Sequence, residues 1–416
     1  MAEEAGGSRP RSAGRRPPWV SPGVASVGVA SFFSDAGHEI ATAVLPIFLT
    51  GVLHGSAATL GLIEGLSDAL LGVAKLVSGP LANQPTRRVQ LARGGYLLTA
   101  VFTAAIGLAT TLWQAGVLRA AAWVARGART PARDAMLAGL APPDAYGRAF
   151  GVERAGDNLG AVVGPLLASI LVATVGLRTS FFFALIPGAL AAASISVAAA
   201  RARRMTTAVR VRARARLELA GLRRAGLFRP LLPVALFELG NITTTLLILR
   251  ATQLLEHGGR SPTAAASVAI LLYAGHNLTA AIVALVGGAW VDRVGPRLVF
   301  AAGAAAYVLA YGGFAFPIHQ WLLLAGCFCL AGAGIGLAET AESTLVAQLL
   351  PDRLRGSGFG LLGGLQSAGD FLSSAIVGLL YVTVAPTVGF AYATAWMVLA
   401  VAVTVWLRPR EPGVAR

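Results

Sequence analysis

The chain has 416 residues, of which 56% are hydrophobic and only 13% are charged, and its mean hydropathy is +0.68. Soluble domains carry about 25% charged residues, so this chain has too few polar side chains to cover a soluble surface. A bilayer supplies the missing apolar solvent, and about 20 apolar residues make one helical crossing. The composition therefore predicts an all-α polytopic membrane protein and argues against a soluble one.

The net charge of +15 comes from 34 basic and 19 acidic residues, and Lys75 is the only lysine. Most of the arginines cluster at the ends of apolar segments, which is typical of topology signals in membrane proteins. We therefore expect no nucleic-acid partner. The two cysteines, Cys327 and Cys329, are two residues apart in one apolar run, where helical geometry does not favour a disulfide.

Twelve apolar segments follow one another along the chain, six before and six after a polar interval. We number them spans 1 to 12. Their predicted limits are 22–50, 58–82, 91–112, 114–140, 147–175, 179–200, 229–255, 262–290, 298–316, 319–348, 357–383 and 387–407. This order predicts two six-helix bundles, residues 22–200 and 229–407, joined by an arginine-rich linker at 201–228. Residues 1–21 are expected to form a disordered tail and residues 408–416 a short second tail.

Arginine is concentrated in alternate connections between the predicted spans. It occurs in both tails, in the linker and near 83–93, 141–148, 292–297 and 352–355, whereas 51–57, 111–114 and 383–387 contain none. Because positively charged loops stay in the cytoplasm, both termini are predicted to be cytoplasmic in a bacterial inner membrane. The stretch from Arg201 to Arg229 contains ten arginines and one acidic residue, Glu218. We interpret it as a topology anchor that contacts lipid headgroups.

Two short patterns recur at the same spacing. Gly79 and Gly288 each end a predicted even-numbered span and are 209 residues apart. The pairs Phe150-Gly151 and Phe359-Gly360 open spans 5 and 11 and are also 209 residues apart. Two patterns that recur at the same offset, and at equivalent positions in the two sets of six spans, indicate a duplicated six-helix unit.

The sequence Gly288-Ala-Trp-Val-Asp292-Arg293-Val-Gly295-Pro-Arg297 resembles the G-x-x-x-D-R-x-G-x-R loop signature of the major facilitator superfamily. A degraded copy between spans 2 and 3 reads Gly79-Pro-Leu-Ala-Asn83-Gln84-Pro-Thr-Arg87-Arg88. The resemblance covers residues 22 to 407. It implies twelve transmembrane helices in two pseudo-symmetric bundles, which carry a substrate by alternating access.

The resemblance also implies a conformational latch at these loops. The aspartate can accept hydrogen bonds from arginines or from the N–H groups at the start of a neighbouring helix. Asn83 replaces the aspartate in the first half, so the latch is predicted to be weaker there. Glu342 is the repeat partner of Arg133. The residues assigned to the latch are Gly79, Asn83, Arg87, Arg88, Arg129, Arg133, Gly288, Asp292, Arg293, Gly295, Arg297 and Glu342.

Span 5 contains Gly156, Gly160, Gly164 and Pro165, followed by Ala168 and Ser169. This pattern resembles the antiporter signature G-x-x-x-G-P-x-x-G-G of the efflux branches, with alanine and serine in place of the last two glycines. The alternative interpretation is ordinary packing of small residues between membrane helices. The stretch Arg126 to Asp134, together with Phe32 to Asp35 and Glu39, resembles a bacterial subgroup of the superfamily with a poorly defined substrate.

Ionisable side chains at membrane depth cost about 2.5–3.5 kcal/mol each, even on lenient scales, so each needs a partner or a function. We propose Asp35, Glu39 and Asp157 as proton carriers, with Arg126 or Arg154 as the counter-charge. Static ion pairs between helices are the alternative. The side chains expected in the central cavity are Asp35, His38, Glu39, Glu64, Asp68, Arg126, Arg154, Asp157, Asn158, Glu238, Asn241, His276, Asn277, Gln366 and Asp370.

The sequence thus predicts a monomeric proton-coupled antiporter that exports a small organic molecule. Its expected partners are this substrate, protons and membrane lipids, with the proton gradient in place of any cofactor. A proton-coupled importer, a metal or siderophore transporter, and a non-transporting receptor or scramblase are the alternatives. His38 beside Asp35 and Glu39 lacks a second histidine, so a metal site is not favoured. The chain has no Walker or H-E-x-x-H motif, and we do not expect an enzyme.

Overall fold

The computed structural model describes residues 19–205 and 216–407, which are helical almost throughout and contain no β-strand. Most of both predicted tails and the middle of the linker lie outside the described residues. Within the described ranges the chain crosses back and forth twelve times, which confirms the predicted number of spans. Both described ends and the described linker residues lie on one side of the molecule, which we call the terminal side.

The first half contains six spans. Their bounds are Pro22–Ile47 with a π-helical turn at Phe48–Val52, Ala57–Ala82, Pro85–Ala105 with a 3-10 turn at Ile106–Leu108, Leu112–Leu140, Tyr146–Val175, and the pair Leu177–Phe183 and Leu185–Met205. The second half follows a short linker helix, Leu219–Arg224. Its spans are the pair Phe228–Glu238 and Thr244–His257, then Pro262–Val294, Pro296–Ala315, Trp321–Leu349, Asp352–Thr383 and Pro386–Trp406.

Eight spans among the described residues are long and apolar enough to cross a membrane by length and composition alone. They are spans 3, 5, 6 and 8 to 12. Spans 1, 2 and 4 have similar lengths but contain several charged side chains, and span 7 is broken into two short helices. Charged side chains or a helix break thus account for the four spans whose apolar signal is weakest.

The arginine-bearing connections are shorter than predicted because the helices continue through the charged residues. Span 3 begins at Pro85, span 11 begins at Asp352, and span 8 runs to Val294. Span 6 extends beyond its predicted end to Met205. Apolar content marks the hydrocarbon depth only, whereas a helix keeps its backbone hydrogen bonds while long charged side chains reach the headgroups.

Local signals explain several of the helix ends. The Ser21 hydroxyl accepts a hydrogen bond from the Val24 N–H at 3.2 Å, and Pro22 occupies the first helical turn, where its missing N–H costs nothing. Between spans 8 and 9 the chain turns through a single residue, Gly295, with φ of 90°. A side chain would be strained in that conformation.

Spans 1 to 6 pack into one bundle and spans 7 to 12 into another. The bundles meet where span 2 packs on span 11 and where span 5 packs on span 8. A shift of 209 residues converts each interface into the other. Phe150 and Phe359 contact each other with ring centroids 5.6 Å apart, and Arg355 donates to the Tyr146 hydroxyl at 2.6 Å. Both pairs are repeat partners in contact, so they lie on the pseudo-two-fold axis.

Candidate functional site

The latch of the second half lies at the span 5–span 8 interface on the terminal side. Asp292 accepts hydrogen bonds from the backbone N–H groups of Gly147 and Arg148 at 2.6 and 3.1 Å, and from the Arg148 guanidinium at 2.8 Å. Gly147 and Arg148 lie in the first turn of span 5, where unpaired N–H groups and the helix dipole favour an anion. This carboxylate therefore joins the second bundle to the first.

The equivalent site in the first half uses an amide. Asn83 accepts from the Ser357 N–H at 3.0 Å and donates to the Ser357 hydroxyl at 2.8 Å. Ser357 is the repeat partner of Arg148. Nearby, Arg88 donates to the Asp352 carboxylate at 2.8 Å, which adds a charged bond between the bundles. The two latches thus occupy equivalent positions and differ in chemistry.

Glycines allow the close approach at both latches. A Cβ at Gly79 would overlap the backbone of Gly356 and Gly360, and a Cβ at Gly288 would overlap that of Gly147. Other predicted latch residues do not join the bundles. Arg87 and Arg293 are exposed on the surface. Arg297 donates to backbone carbonyls of Thr404 and Val405 within its own bundle.

Three further latch assignments differ from the structure. Arg133 lies inside the first bundle, where its guanidinium is 2.5 Å from Glu153 and 2.9 Å from Asp134. Arg129 stacks on the Tyr96 ring and donates to the Ser34 hydroxyl. Glu342 accepts from the Gln366 amide at 2.8 Å within the second bundle. These three residues therefore make their contacts within single bundles, and the sequence contained no information about their partners.

Arg154 makes a contact between the bundles that lies farther from the terminal side than the two latches do. Its guanidinium lies 3.5 Å from Glu339 on span 10 and 3.4 Å from the Ser343 hydroxyl. It also lies 3.6 Å from Asp157 in its own span. Asn158 donates to the Arg154 backbone carbonyl at 2.8 Å. Glu339 was not among the predicted site residues, because pairing across the interface could not be read from sequence.

The carboxylates proposed as proton carriers occupy different environments. Asp35 is buried and accepts from Arg126 at 2.8 Å. Asp157 lies 3.5 Å from Arg133 and 3.6 Å from Arg154. Glu39 has no arginine within 4.0 Å among the described residues, and its nearest basic atom is His38 Nε2 at 3.7 Å. Two of the three are therefore ion-paired in this conformation.

A second polar chain connects spans 1, 2 and 4. Glu64 accepts two hydrogen bonds from Arg119, both at 3.0 Å, and the Arg119 guanidinium lies 3.4 Å from the Trp123 ring centroid. The Trp123 indole donates to Asp68 at 2.7 Å. His38 also stacks on Trp123, with centroids 4.2 Å apart. Sequence analysis missed Trp123, because an aromatic residue in an apolar helix carries no distinguishing pattern.

Span 7 is interrupted between Glu238 and Thr244. The freed backbone groups find new partners, since the Ile242 N–H donates to the Tyr311 hydroxyl at 3.3 Å and the Thr243 N–H to Ser374 at 3.0 Å. Non-helical backbone at membrane depth is tolerated where it lines a cavity. The break was not predicted, because residues 229–255 read as one apolar segment.

A cavity of 580 Å³ lies beside this break, between span 2 of the first bundle and spans 7 to 11 of the second. Asp35, Glu39 and Asp157 are not among its lining residues. Of the predicted cavity residues it brings together Asp68, Asn241, His276 and Asp370. Asn241 donates to both Asp370 and the buried Glu238, at 2.9 and 3.1 Å. Asn277 and His276 are held by backbone carbonyls of Tyr273 and Phe328 respectively.

The glycine motif of span 5 forms the contact with span 1. A Cβ at Gly156, Gly160 or Gly164 would overlap atoms of span 1. Pro165 lies inside span 5, which continues to Val175. The close approach places the carboxylates of span 1 against span 5, where Ser31 donates to Glu153 at 3.0 Å. Among the described residues, no group of three His, Cys, Asp or Glu side chains is arranged to hold a metal ion.

Comparison with known proteins identifies the family to which a chain of this architecture belongs. The profile of the Major Facilitator Superfamily matches residues 27–254 and 225–416. The chain belongs to the major facilitator superfamily. It is a multi-pass membrane transporter by family and fold.

The relatives support this assignment over most of the chain. An uncharacterised MFS-type transporter of Methanocaldococcus jannaschii is 25% identical over 374 residues, covering 90% of this chain and 92% of that protein. The multidrug resistance protein MdtG of Enterobacter lignolyticus is 30% identical over 158 residues, or 37% of each chain. A bacterial homologue of the iron transporter ferroportin, solved in its outward-facing state, aligns with a TM-score of 0.72 at 17% identity, covering 92% of this chain and 98% of that chain. At 17% identity, the similarity to this solved structure shows a shared fold only.

Proposed function

We propose that this transporter is a proton-coupled antiporter that exports a small organic molecule. The observation that carries the proposal is the ion pair between Asp35 and Arg126, at 2.8 Å, inside the membrane. A buried carboxylate is stable as an anion only while its cation stays in place. A proton that binds Asp35 removes this attraction, so protonation and helix rearrangement are coupled at this pair.

The surroundings of the pair support such an exchange. Arg126 Nη1 is buried and has no hydrogen-bond partner among the described residues, so its guanidinium is satisfied on one side only. Asp157, one helix away, is already shared between two arginines. When Asp35 takes a proton, Arg126 has a second carboxylate nearby toward which it can move. We infer that the proton enters at Asp35 and that Glu39 and Asp157 complete the path.

The orientation predicted from the arginines and a partial sequence likeness support the proposed direction of transport. The positive-inside rule places the arginine-rich terminal side in the cytoplasm of the inner membrane. The hydrogen bonds and ion pairs between the bundles of the described structure lie on that side or at mid-depth, so this conformation faces outward. The span 5 motif and the partial match to MdtG favour export.

Topology reporters test the orientation. A reporter inserted near Thr206 or fused after Arg416 should report a cytoplasmic location, and a reporter inserted near Ser56 or Ala385 should report a location outside the cytoplasm.

The coupling is tested in everted membrane vesicles that carry an inside-acid pH gradient. Addition of norfloxacin or, in separate vesicles, ethidium should release protons and dissipate part of the gradient when the protein is present. The Asp35→Asn variant should lose this response and gradient-driven uptake while it retains exchange of radiolabelled probe. Proton flow in the same direction as the probe would indicate an importer. Uptake of probe without proton movement, or no response to either probe, would refute the proposal.

A further inference from the structure

The 580 Å³ cavity contains charges of both signs that do not pair with each other. Its lining includes Asp68 and Lys75 from span 2 and Asp370 from span 11. No ion pair within 4.0 Å joins Lys75, Asp68 or Asp370 to an opposite charge among the described residues. This differs from the interior of the first bundle, where arginines pair with Asp35, Glu64 and Asp157.

Each of these charges is instead held by a neutral partner. The Lys75 ammonium donates to the Ser367 hydroxyl at 3.1 Å. The Asp68 carboxylate accepts from the Trp123 indole at 2.7 Å. Asp370 accepts from the Asn241 amide at 2.9 Å. Neutral hydrogen bonds fix the position of an ionised group without cancelling its charge, so all three charges remain available to a ligand.

Lys75 is positioned by the bundle interface itself. A Cβ added at Gly363 of span 11 would lie 2.8 Å from Lys75 Cδ, so the absence of a side chain there makes room for the lysine stem. Lys75 is also the only lysine in a chain whose other basic residues are all arginine. A lysine presents a compact point charge, in contrast to the planar guanidinium that clamps carboxylates in the first bundle.

We propose that the cavity binds a zwitterionic organic molecule, with its acidic group at Lys75 and its amine between Asp68 and Asp370. The inference names the substrate class of the exporter proposed above and rests on that function. The apolar body of the ligand would contact Leu71, Ile335 and Phe371, which line the same cavity. The volume suits a drug-sized molecule, since such pockets measure about 300–1,000 Å³.

A zwitterion satisfies both signs of charge at once. A molecule with only an amine leaves the Lys75 ammonium uncompensated after water is displaced, and a molecule with only an acid leaves the two aspartates uncompensated. Loss of one charge-assisted contact weakens binding by about ten- to a hundredfold. We therefore expect the zwitterion to bind at least about tenfold more tightly than either singly charged analogue, since about 1.4 kcal/mol corresponds to tenfold.

The test uses three matched probes: norfloxacin, which is a zwitterion, its ethyl ester, which is a cation, and its N-acetyl derivative, which is an anion. Binding to the purified full-length protein is measured by isothermal titration calorimetry at neutral pH, without a proton gradient. Norfloxacin should bind at least about tenfold more tightly than both derivatives. Equal affinity for norfloxacin and either derivative, or binding of none of the three, would overturn the proposal.

Two variants assign the charges. Lys75→Gln should abolish the preference of the zwitterion over the ester and leave its preference over the N-acetyl derivative. Asp370→Asn should reduce the preference over the N-acetyl derivative and leave the preference over the ester. Lys75→Arg should keep both. Arg93→Gln, which removes a cation on the outer face of the first bundle, is the matched control.

A Lys75→Gln variant that weakens the ester as much as norfloxacin would contradict the assignment of Lys75. If that variant does not fold, the three-probe comparison on the unmodified protein and on Asp370→Asn still decides the question.

The outcome of the binding test can be distinguished from the outcome of the proton-coupling test. The charge-specific binding pattern without proton movement in vesicles would reject coupling alone, whereas proton antiport of norfloxacin without the pattern would reject the charge assignment alone.

Discussion

The two bundles share one architecture but hold their carboxylates differently. In the first bundle Asp35, Glu64 and Asp157 each lie within 4.0 Å of an arginine. In the second bundle the equivalent depth contains Glu342 and Asp370, which accept from the side-chain amides of Gln366 and Asn241. The three first-bundle carboxylates are neutralised by arginines, whereas Glu342 and Asp370 of the second bundle are hydrogen-bonded by neutral amides.

This difference separates two tasks within a duplicated fold. Ion pairs between spans fix the helices of the first bundle to one another, and removal of one member leaves a buried charge behind. Amide-held carboxylates can change protonation or partner without that penalty, because an amide compensates no charge. The first bundle therefore provides the charged network, in which a change of protonation forces an arginine to change its partner, while the second, with its broken span 7, provides most of the cavity wall.

The repeat-related positions Arg133 and Glu342 test this division most directly. Arg133→Gln leaves Asp134 without its cation, and it leaves Glu153, which is 0% exposed, with Arg154 at 3.4 Å in place of two arginines. We expect a loss of about 3–5 kcal/mol in the free energy of unfolding. Glu342→Gln keeps a hydrogen-bonding partner for Gln366 and should cost less than about 1 kcal/mol. Thermal unfolding and expression yield of both variants measure the difference, and similar values would remove the distinction between the bundles.

Glu39 and Asp157 provide a comparison within the first bundle. Asp157→Asn weakens contacts with two arginines, so it should lower stability by about 1–3 kcal/mol as well as gradient-driven transport. Within the part of the chain that the structure describes, Glu39 has no arginine within 4.0 Å, so Glu39→Gln should leave the melting temperature unchanged. If Glu39 carries the proton, the variant also retains exchange of probe and loses gradient-driven flux. A marked destabilisation by Glu39→Gln would show that its role is structural.

The two latches allow the same comparison between the bundles. Asp292→Asn removes the charge from three hydrogen bonds to span 5, at a cost of about 1–3 kcal/mol. This shifts the balance of the two access states by about tenfold. Asn83→Ala removes two neutral hydrogen bonds to Ser357 and should shift the balance less, because Arg88 still binds Asp352.

Distances between spin labels on the terminal side of the two bundles report these populations. The labels require the replacement of Cys327 and Cys329 by serine as the common background. Equal shifts for Asp292→Asn and Asn83→Ala would contradict the proposed asymmetry of the latches.

The smallest effects are expected at the exposed signature arginines. Arg87→Gln and Arg293→Gln remove side chains on the molecular surface, and such substitutions usually change stability by less than about 0.5 kcal/mol. Transport rates and label distances should match those of the unsubstituted protein. A tenfold loss of transport in either variant would show that the substituted arginine acts in the latch.

Sequence analysis predicted the fold because the fold depends on patterns that a membrane imposes. Apolar length gave the twelve spans, and the offset of 209 residues between Gly79 and Gly288 gave the duplication. The helix ends were less accurate, since a helix such as span 3 continues past the last apolar residue. The break in span 7 was missed because Tyr311 and Ser374 satisfy its backbone, and both residues are distant in sequence.

The site was predictable as a set of polar residues, but not as pairs. Asp35, Arg126, Asp68 and Asp370 stand out in sequence because charge inside a bilayer is costly. Which arginine contacts which carboxylate depends on the rotation of each helix about its axis, and a single sequence does not contain that information. Arg133 illustrates this limit, because its partners lie on spans 4 and 5 rather than across the interface.

The residues on the pseudo-two-fold axis show what fusion of two repeats makes possible. In a symmetric dimer of one six-helix unit, every axial residue faces its own copy, so an arginine there would face an arginine and a tyrosine a tyrosine. Phe150 and Phe359 still follow that rule. Tyr146 and Arg355 do not, and they gain a hydrogen bond of 2.6 Å that identical residues could not form in the same way. Once two copies are encoded in a single gene, the contact of a residue with itself becomes a pair whose members can diverge.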